Sequence, residues 1–182
     1  MTKKRDYYRI ALQIVAWVIF IGLSIEAGGF LTNTIISSFF NPEAAKKFWS
    51  QLDLSGLYQY SQSRFIMITT IMVIASILKA LMFYFIVKVF YDRKVDISKP
   101  FNHVAAKFIQ KIAYLSIGIG IFSIWGAKLV NNLVNEGVKI PAIQYLRIDG
   151  ADVWLFMGVI LLVLARVFKK GIEIQNENDL TV

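Results

Sequence analysis

"FIMITTIMVIASILKALMFYFIVKVFY", residues Phe65 to Tyr91, is the stretch that decides the fold. A helix needs about 20 mostly apolar residues to cross a bilayer. This run has that length, and Lys79 and Lys88 are its only charges. Working outward, three more runs qualify: Tyr8 to about Phe30, Ile112 to Val134, and Val153 to Phe168. The last is short and must use Arg166 and Lys169 as snorkelling ends. The expected fold is an all-α integral membrane protein, a four-transmembrane-helix bundle forming one domain over residues 1–182. Its spans are placed at about 8–31, 65–91, 112–134 and 153–170, with a tail at 171–182.

Composition agrees. The 182 residues are 57% hydrophobic, with a net charge of +8 and a mean hydropathy of +0.57. A soluble domain runs nearer 45–50% apolar. In a soluble chain the positive charge would point to nucleic acid. Here it reads as the loop bias of a membrane protein, and no direct nucleic-acid binding is expected. With no cysteine, disulfides, thiolate metal sites and thiol catalysis are excluded. The short basic N-terminus precedes an apolar run too long for a cleaved signal and reads as an uncleaved anchor.

The basic residues set the expected orientation. Lys3, Lys4, Arg5, Arg9, then Arg93, Lys94, Lys99, Lys107, Lys111, then Arg166, Lys169 and Lys170 fall on the side of the termini. Only Lys46, Lys47, Arg64, Lys139 and Arg147 fall on the other. The positive-inside rule therefore puts both termini in the cytoplasm.

The first element needs more than a span. From Tyr8 to Phe40 a helix would measure about 50 Å at 1.5 Å per residue, so a kink at Gly28-Gly29, or an outward projection, is expected. In "NPEAAKKFWSQL", Asn41 suits a cap and Pro42 the first helical position. Ala45, Phe48, Trp49 and Leu52 share one face, which predicts a short amphipathic helix in the first outer loop. It lies on the bilayer surface or packs on its own bundle. Pro100 and Asn102 announce a helix that runs into the third span. The loop from Asn135 to Asp152 is read as irregular, with a brief extended piece at Ile143 to Ile148.

Charges within spans are functional candidates by default. Glu26 and Lys128 reach similar depths, and a Glu26–Lys128 pair fits the rise per residue. Lys79, about 14 residues into its span, is placed roughly 20 Å deep with no evident acidic partner. Ser116, Gly120, Ser123 and Ala127 form a small-residue face for close helix packing, within the bundle or, as a homo-oligomer, between copies. His103 stands alone in a loop, which makes neither a zinc site nor a triad. No nucleophile–base pair or phosphate loop is visible, so neither enzymatic activity nor a cofactor is expected.

Two stretches carry a family resemblance. "SKPFNHVAAKFIQKIAYL" precedes the third span, and "ARVFKKGIEIQNENDLTV" follows the fourth. The Pro100-Phe101 element, the Phe168–Gly171 step and the closing Asp179–Val182 resemble the domain-of-unknown-function family twenty-nine seventy-five. The resemblance implies a multi-pass protein of the bacterial inner membrane with four spans and no assigned activity. It also implies gene neighbourhoods that include a small helix-turn-helix regulator of the Cro/C1 type. The acidic tail, with Glu173, Glu177 and Asp179 and the apolar Leu180 and Val182, would either dock on such a basic partner or latch onto its own bundle. The leading expectation is a sensor or sequestering partner of that regulator, with the lipid bilayer as its constant partner. A small transporter or channel subunit using Lys79, Glu26 and Lys128 is the alternative. An immunity-like protection against a membrane-active peptide is the third.

Overall fold

The computed structural model describes residues 2–50, 52–91 and 102–179. Among these the chain is helical, joined by turns, without a strand. The elements are α1 (Thr2–Ile35), a π-helical turn (Ile36–Phe40), a 3-10 helix (Pro42–Lys47), α2 (Ser55–Tyr60), α3 (Gln62–Tyr91), α4 (His103–Asn135) and α5 (Ala151–Asp179). The four long helices are long and apolar enough to cross a membrane. The protein is a multi-pass membrane protein, and its helices overrun the predicted spans at both ends, except that α3 stops at Tyr91 as predicted.

The bundle is a row. α1 packs on α3, α3 on α4, and α4 on α5, while α1 and α5 form the two edges. Both edges present apolar side chains outward, among them Ile14, Val18 and Ile25 on α1 and Phe156, Val159 and Val163 on α5. That is the surface a lipid-facing helix needs, because lipid tails are as apolar as the side chains themselves.

Glycines fix the register of α4 on α5. A Cβ on Gly120 would lie 2.7 Å from Leu155 and 3.2 Å from the Ala151 carbonyl, and one on Gly158 would lie 3.1 Å from the Ala113 carbonyl. The two helices therefore run antiparallel with Ala151 level with Gly120. Asn135, the end of α4, lies fifteen residues beyond Gly120, a rise of about 22 Å. So α5 starts well below the loop end of α4, and the chain between them, residues 136–150, folds down into the bundle. Leu146 and Ile148 are fully buried there.

That loop, the end of α1, the 3-10 helix, α2 and the start of α3 form a head with its own core. Phe30, Phe48, Phe65, Leu54, Leu57, Leu146 and Ile148 are each at most 1% exposed. Phe48 and Phe65 meet edge-on at 5.9 Å, and Tyr58 and Phe65 at 5.1 Å.

Several expectations change here. α1 runs unbroken through Gly28-Gly29. A Cβ on Gly29 would fall 2.2 Å from the Trp49 ring, so this glycine is a seat for an indole and not a hinge. The element after Pro42 is a 3-10 helix whose Asn41 cap accepts from the Glu43 N–H at 3.0 Å. Its Ala45, followed by Phe48 and Leu52, is buried in the head core, so this stretch packs on its own bundle and does not lie on the bilayer. Residues 143–147 form consecutive turns, not an extended piece. The Asn102 side chain caps α4 through the Ala105 N–H at 2.8 Å. α5 continues through Gly171 to Asp179, so the predicted tail is helical as far as Asp179. Leu180 and Val182 lie outside the described residues.

Candidate functional site

Where the head meets α5, charged groups that are far apart in sequence converge. Glu26, on α1, is mostly buried and takes a 3.1 Å ion pair from Arg147 Nε. Arg147 sits four residues before α5, and its own carbonyl accepts a 2.7 Å hydrogen bond from Lys79 Nζ of α3. The Lys79 ammonium also lies 5.7 Å from the centre of the Trp154 ring on α5, within cation–π range. Glu26 and Asp149 are near enough to act on its charge. One arginine thus joins α1, α3 and the lead-in to α5.

These contacts resolve the predicted charges differently from one another. Glu26 pairs with Arg147, not with Lys128, which is exposed on α4. Lys79 is half-buried, and its ammonium finds partners in the Arg147 carbonyl and the Trp154 ring. α3 begins inside the head, and Leu78 is level with Gly118, two residues from the level at which α5 starts. Of the small-residue face, Ser116 faces α3 with its hydroxyl 3.8 Å from Met82 Sδ, and Gly120 takes the start of α5. Ser123 is buried without a hydrogen-bond partner for its hydroxyl, and Ala127 is half-buried. Glu173 pairs with Lys170 at 3.0 Å on the exposed face of α5. Glu177 is exposed, and Asp179 closes the helix.

Above the Glu26–Arg147 pair lies a cleft of about 660 Å³, a size common for small-ligand sites. One wall is made by Trp49, Ser50, Leu52 and Asp53, the other by Pro141, Gln144, Tyr145 and Arg147, and Glu26 and Phe30 of α1 form the floor. The first wall is built tightly. Phe48 N–H donates to the Leu52 carbonyl at 2.9 Å, and Leu52 N–H to the Trp49 carbonyl at 2.8 Å. The Trp49 ring sits on Gly29 and meets Phe30 edge-on at 6.5 Å. Asp53 Oδ1 accepts from both the Ser55 hydroxyl (2.6 Å) and its N–H (2.9 Å). Those two bonds hold the Asp53 carboxyl below the ordinary aspartate range, because both favour the charged form.

Each wall contains one non-glycine residue with a left-handed backbone, Ser50 (φ 45°) and Arg147 (φ 60°). Such a conformation costs about 1–2 kcal/mol and concentrates at functional sites. The second wall also separates two cavities. Pro141 and Gln144 line the cleft and, on their other side, a second space of about 690 Å³ against α4.

The family model described as "Protein of unknown function (DUF2975)" matches residues 33–182. The chain belongs to this family. Searches of curated proteins and of solved structures found no match. The matched stretch contains both walls of the cleft, Lys79 and all of α5, while Glu26 lies on the N-terminal side of it. Arg147 was visible in the sequence only as a loop charge. The nearest signal was its position beside the Asp149-Gly150 turn, which says that the chain bends there and not that it re-enters the bundle.

Proposed function

We propose that this member of the family is a membrane-bound sensor. It holds a small ligand in the loop-end cleft and passes the bound state along α5 to a partner at the other end. The observation that carries the reading is the connectivity of the second wall. Pro141, Gln144, Tyr145 and Arg147 line the cleft, Arg147 contacts α1 and α3, and the chain continues directly into α5. A ligand that draws on Arg147 acts on the element that enters α5, and α5 runs unbroken for 29 residues to Asp179.

The charge bias supports a cytoplasmic location for the termini and a bacterial inner membrane for the whole. There the acidic end of α5, with Glu173, Glu177 and Asp179, is suited to a small basic helix-turn-helix regulator. Binding fits the cleft better than catalysis. Both acids are already engaged, Glu26 by Arg147 and Asp53 by Ser55, and the lone His103 starts α4 at the opposite end. Transport is less well supported, because the Lys79 ammonium is committed to a carbonyl and an indole.

The test is affinity capture from native membranes after mild crosslinking, with the full chain and a chain ending at Lys170. Recovery of a small DNA-binding protein by the full chain alone is the expected result. Identical partners for both chains, or none, together with a lower melting temperature on truncation, would make the end of α5 a structural latch and end the sensor reading.

A further inference from the structure

We propose that the cleft binds a phosphate beside a primary ammonium, a headgroup of the phosphoethanolamine type, and that a bilayer lipid supplies it. The inference rests on the sensor reading and names its ligand.

Among the described residues, the charged groups with atoms left open in the cleft are one cation and one anion, beside the uncharged polar groups of Ser50, Gln144 and Tyr145. Arg147 spends Nε on Glu26, and its two terminal nitrogens remain as donors on a side chain that is 58% exposed. A planar guanidinium edge suits a phosphate's oxygens. On the opposite wall, Asp53 uses Oδ1 for both bonds from Ser55, which leaves Oδ2 as an acceptor in a carboxylate held ionised. Trp49, seated on Gly29, and Tyr145, 63% exposed, add ring faces that favour an ammonium. A simple anion would meet Arg147 but face the Asp53 carboxylate across the cleft. A simple cation would satisfy Asp53 and leave the Arg147 donors unused. A ligand carrying both charges answers both walls at once. The two left-handed residues, Ser50 and Arg147, stand one on each of these walls.

Height selects the source. The Glu26–Arg147 floor lies near the level at which α5 begins, and the apolar run of α5 starts at Val153. A bilayer matched to α5 has its headgroups at that level. α1 and α5, the two edges of the row, do not close on each other below it, so acyl chains can lie against the bundle beneath a bound headgroup.

The experiment is native mass spectrometry of the full chain released from detergent. It carries equimolar phosphatidylethanolamine, phosphatidylglycerol and phosphatidylcholine with identical acyl chains. The parent protein is expected to retain phosphatidylethanolamine about tenfold over the other two, the worth of one charge-assisted hydrogen bond. Asp53→Asn keeps the Oδ1 acceptor that orders Ser55 and removes the charge, so it should abolish the preference with only a small fall in melting temperature. Arg147→Asn, a residue that tolerates the left-handed backbone, should lose retention of all three. Should that variant fail to fold, Asp53→Asn decides alone. Equal retention of the three lipids by the parent, or an undiminished preference in Asp53→Asn, overturns the proposal. Soluble glycerophosphoethanolamine forms a second arm. If it binds protein in phosphatidylcholine nanodiscs as tightly as the lipid does, the lipid source is overturned and the headgroup chemistry stands. Failed lipid selection with regulator capture intact sinks the ligand and leaves the sensor. Lipid selection without tail-dependent capture does the reverse.

Discussion

At the loop end, Phe30, Phe48 and Phe65 stack into a core with Leu54, Leu57, Leu146 and Ile148, all essentially inaccessible. At the termini end, the packed cluster is Met82, Ile112 and Ile119 with partly covered neighbours, and most other buried apolar residues are small, such as Ala106, Ala113 and Ala165. The same chain therefore uses two solvents. The head excludes water around an interior like that of a soluble domain, where burial of apolar area is the driving force. The other half leaves Val159, Val163 and Val167 facing outward, and holds its helices by close approach at Gly120 and Gly158. The cleft and its charged floor stand at the seam, where both a polar ligand and a rigid wall are available.

The largest effect should come from the head core. Phe48→Ala removes a ring that is 1% exposed and should cost about 3–5 kcal/mol, read as a fall in the thermal midpoint in detergent. Phe156→Ala, on a ring that is 68% exposed on α5, should stay within about 0.5 kcal/mol. Equal losses would break the contrast between the two halves. The adjacent glycines make a sharper pair. Gly29→Ala puts a methyl group into the Trp49 ring and should cost about 1–3 kcal/mol as the indole is displaced, with a change in near-ultraviolet dichroism. Gly28 has open space around a Cβ, so Gly28→Ala should gain roughly 0.5–1 kcal/mol of helix stability.

That glycine pair marks where sequence reasoning works and where it stops. The spans, the Asn41-Pro42 start and the Asn102 cap were legible because each is local: apolar length, a side chain that reaches two or three residues on, a ring with no N–H. Gly28-Gly29 read as a hinge because a local rule assigns paired glycines to breaks, whereas the deciding contact comes from Trp49, twenty residues away. The site failed in the same manner. Glu26 and Lys79 were legible as unusual charges, but their shared partner, Arg147, belongs to a loop whose descent into the bundle is set by the register of Gly120 on α5. No periodicity in residues 136–150 encodes that descent. α2 was missed because six residues carry too little pattern.

The seam itself is tested by Lys79→Met. The methionine keeps much of the apolar stem and leaves the Arg147 carbonyl without its donor, a loss of about 1–3 kcal/mol. Amide exchange across residues 144–149 should quicken, and exchange at Phe48 and Phe65 should not. Lys128→Met, on an exposed side chain of α4, should change neither. If Lys79→Met left residues 144–149 as protected as before, the loop would be held by Leu146 and Ile148 alone, and the charged floor would be ornament to an apolar plug.

The smallest effects are two pH edges on α2, which is pinned at both ends. Before its first residue, the depressed Asp53 carboxyl is held by Ser55. At its last, Tyr60 donates to Glu136 Oε2 of the α4 end at 2.7 Å, and the carboxylate lifts the phenol above its ordinary 10.0. A carboxyl depressed on folding adds stability above its unfolded value near 3.8 and loses it as pH falls through the lower folded value. A phenol raised on folding adds stability below its unfolded value and loses it as pH rises through the higher folded one. α2 should therefore loosen from its N-terminal side in acid and from its C-terminal side in alkali, with the head core intact between. Phenolate absorbance compared between the parent and Tyr60→Phe isolates the alkaline edge. The acid edge should vanish in Asp53→Asn, whose amide oxygen accepts from Ser55 at every pH. Both edges are screened surface effects, so raising the salt should shrink them while leaving the Phe48→Ala loss unchanged. A salt-sensitive Phe48→Ala would mean that the head is held by its charges, and the division between the two halves would have been drawn in the wrong place.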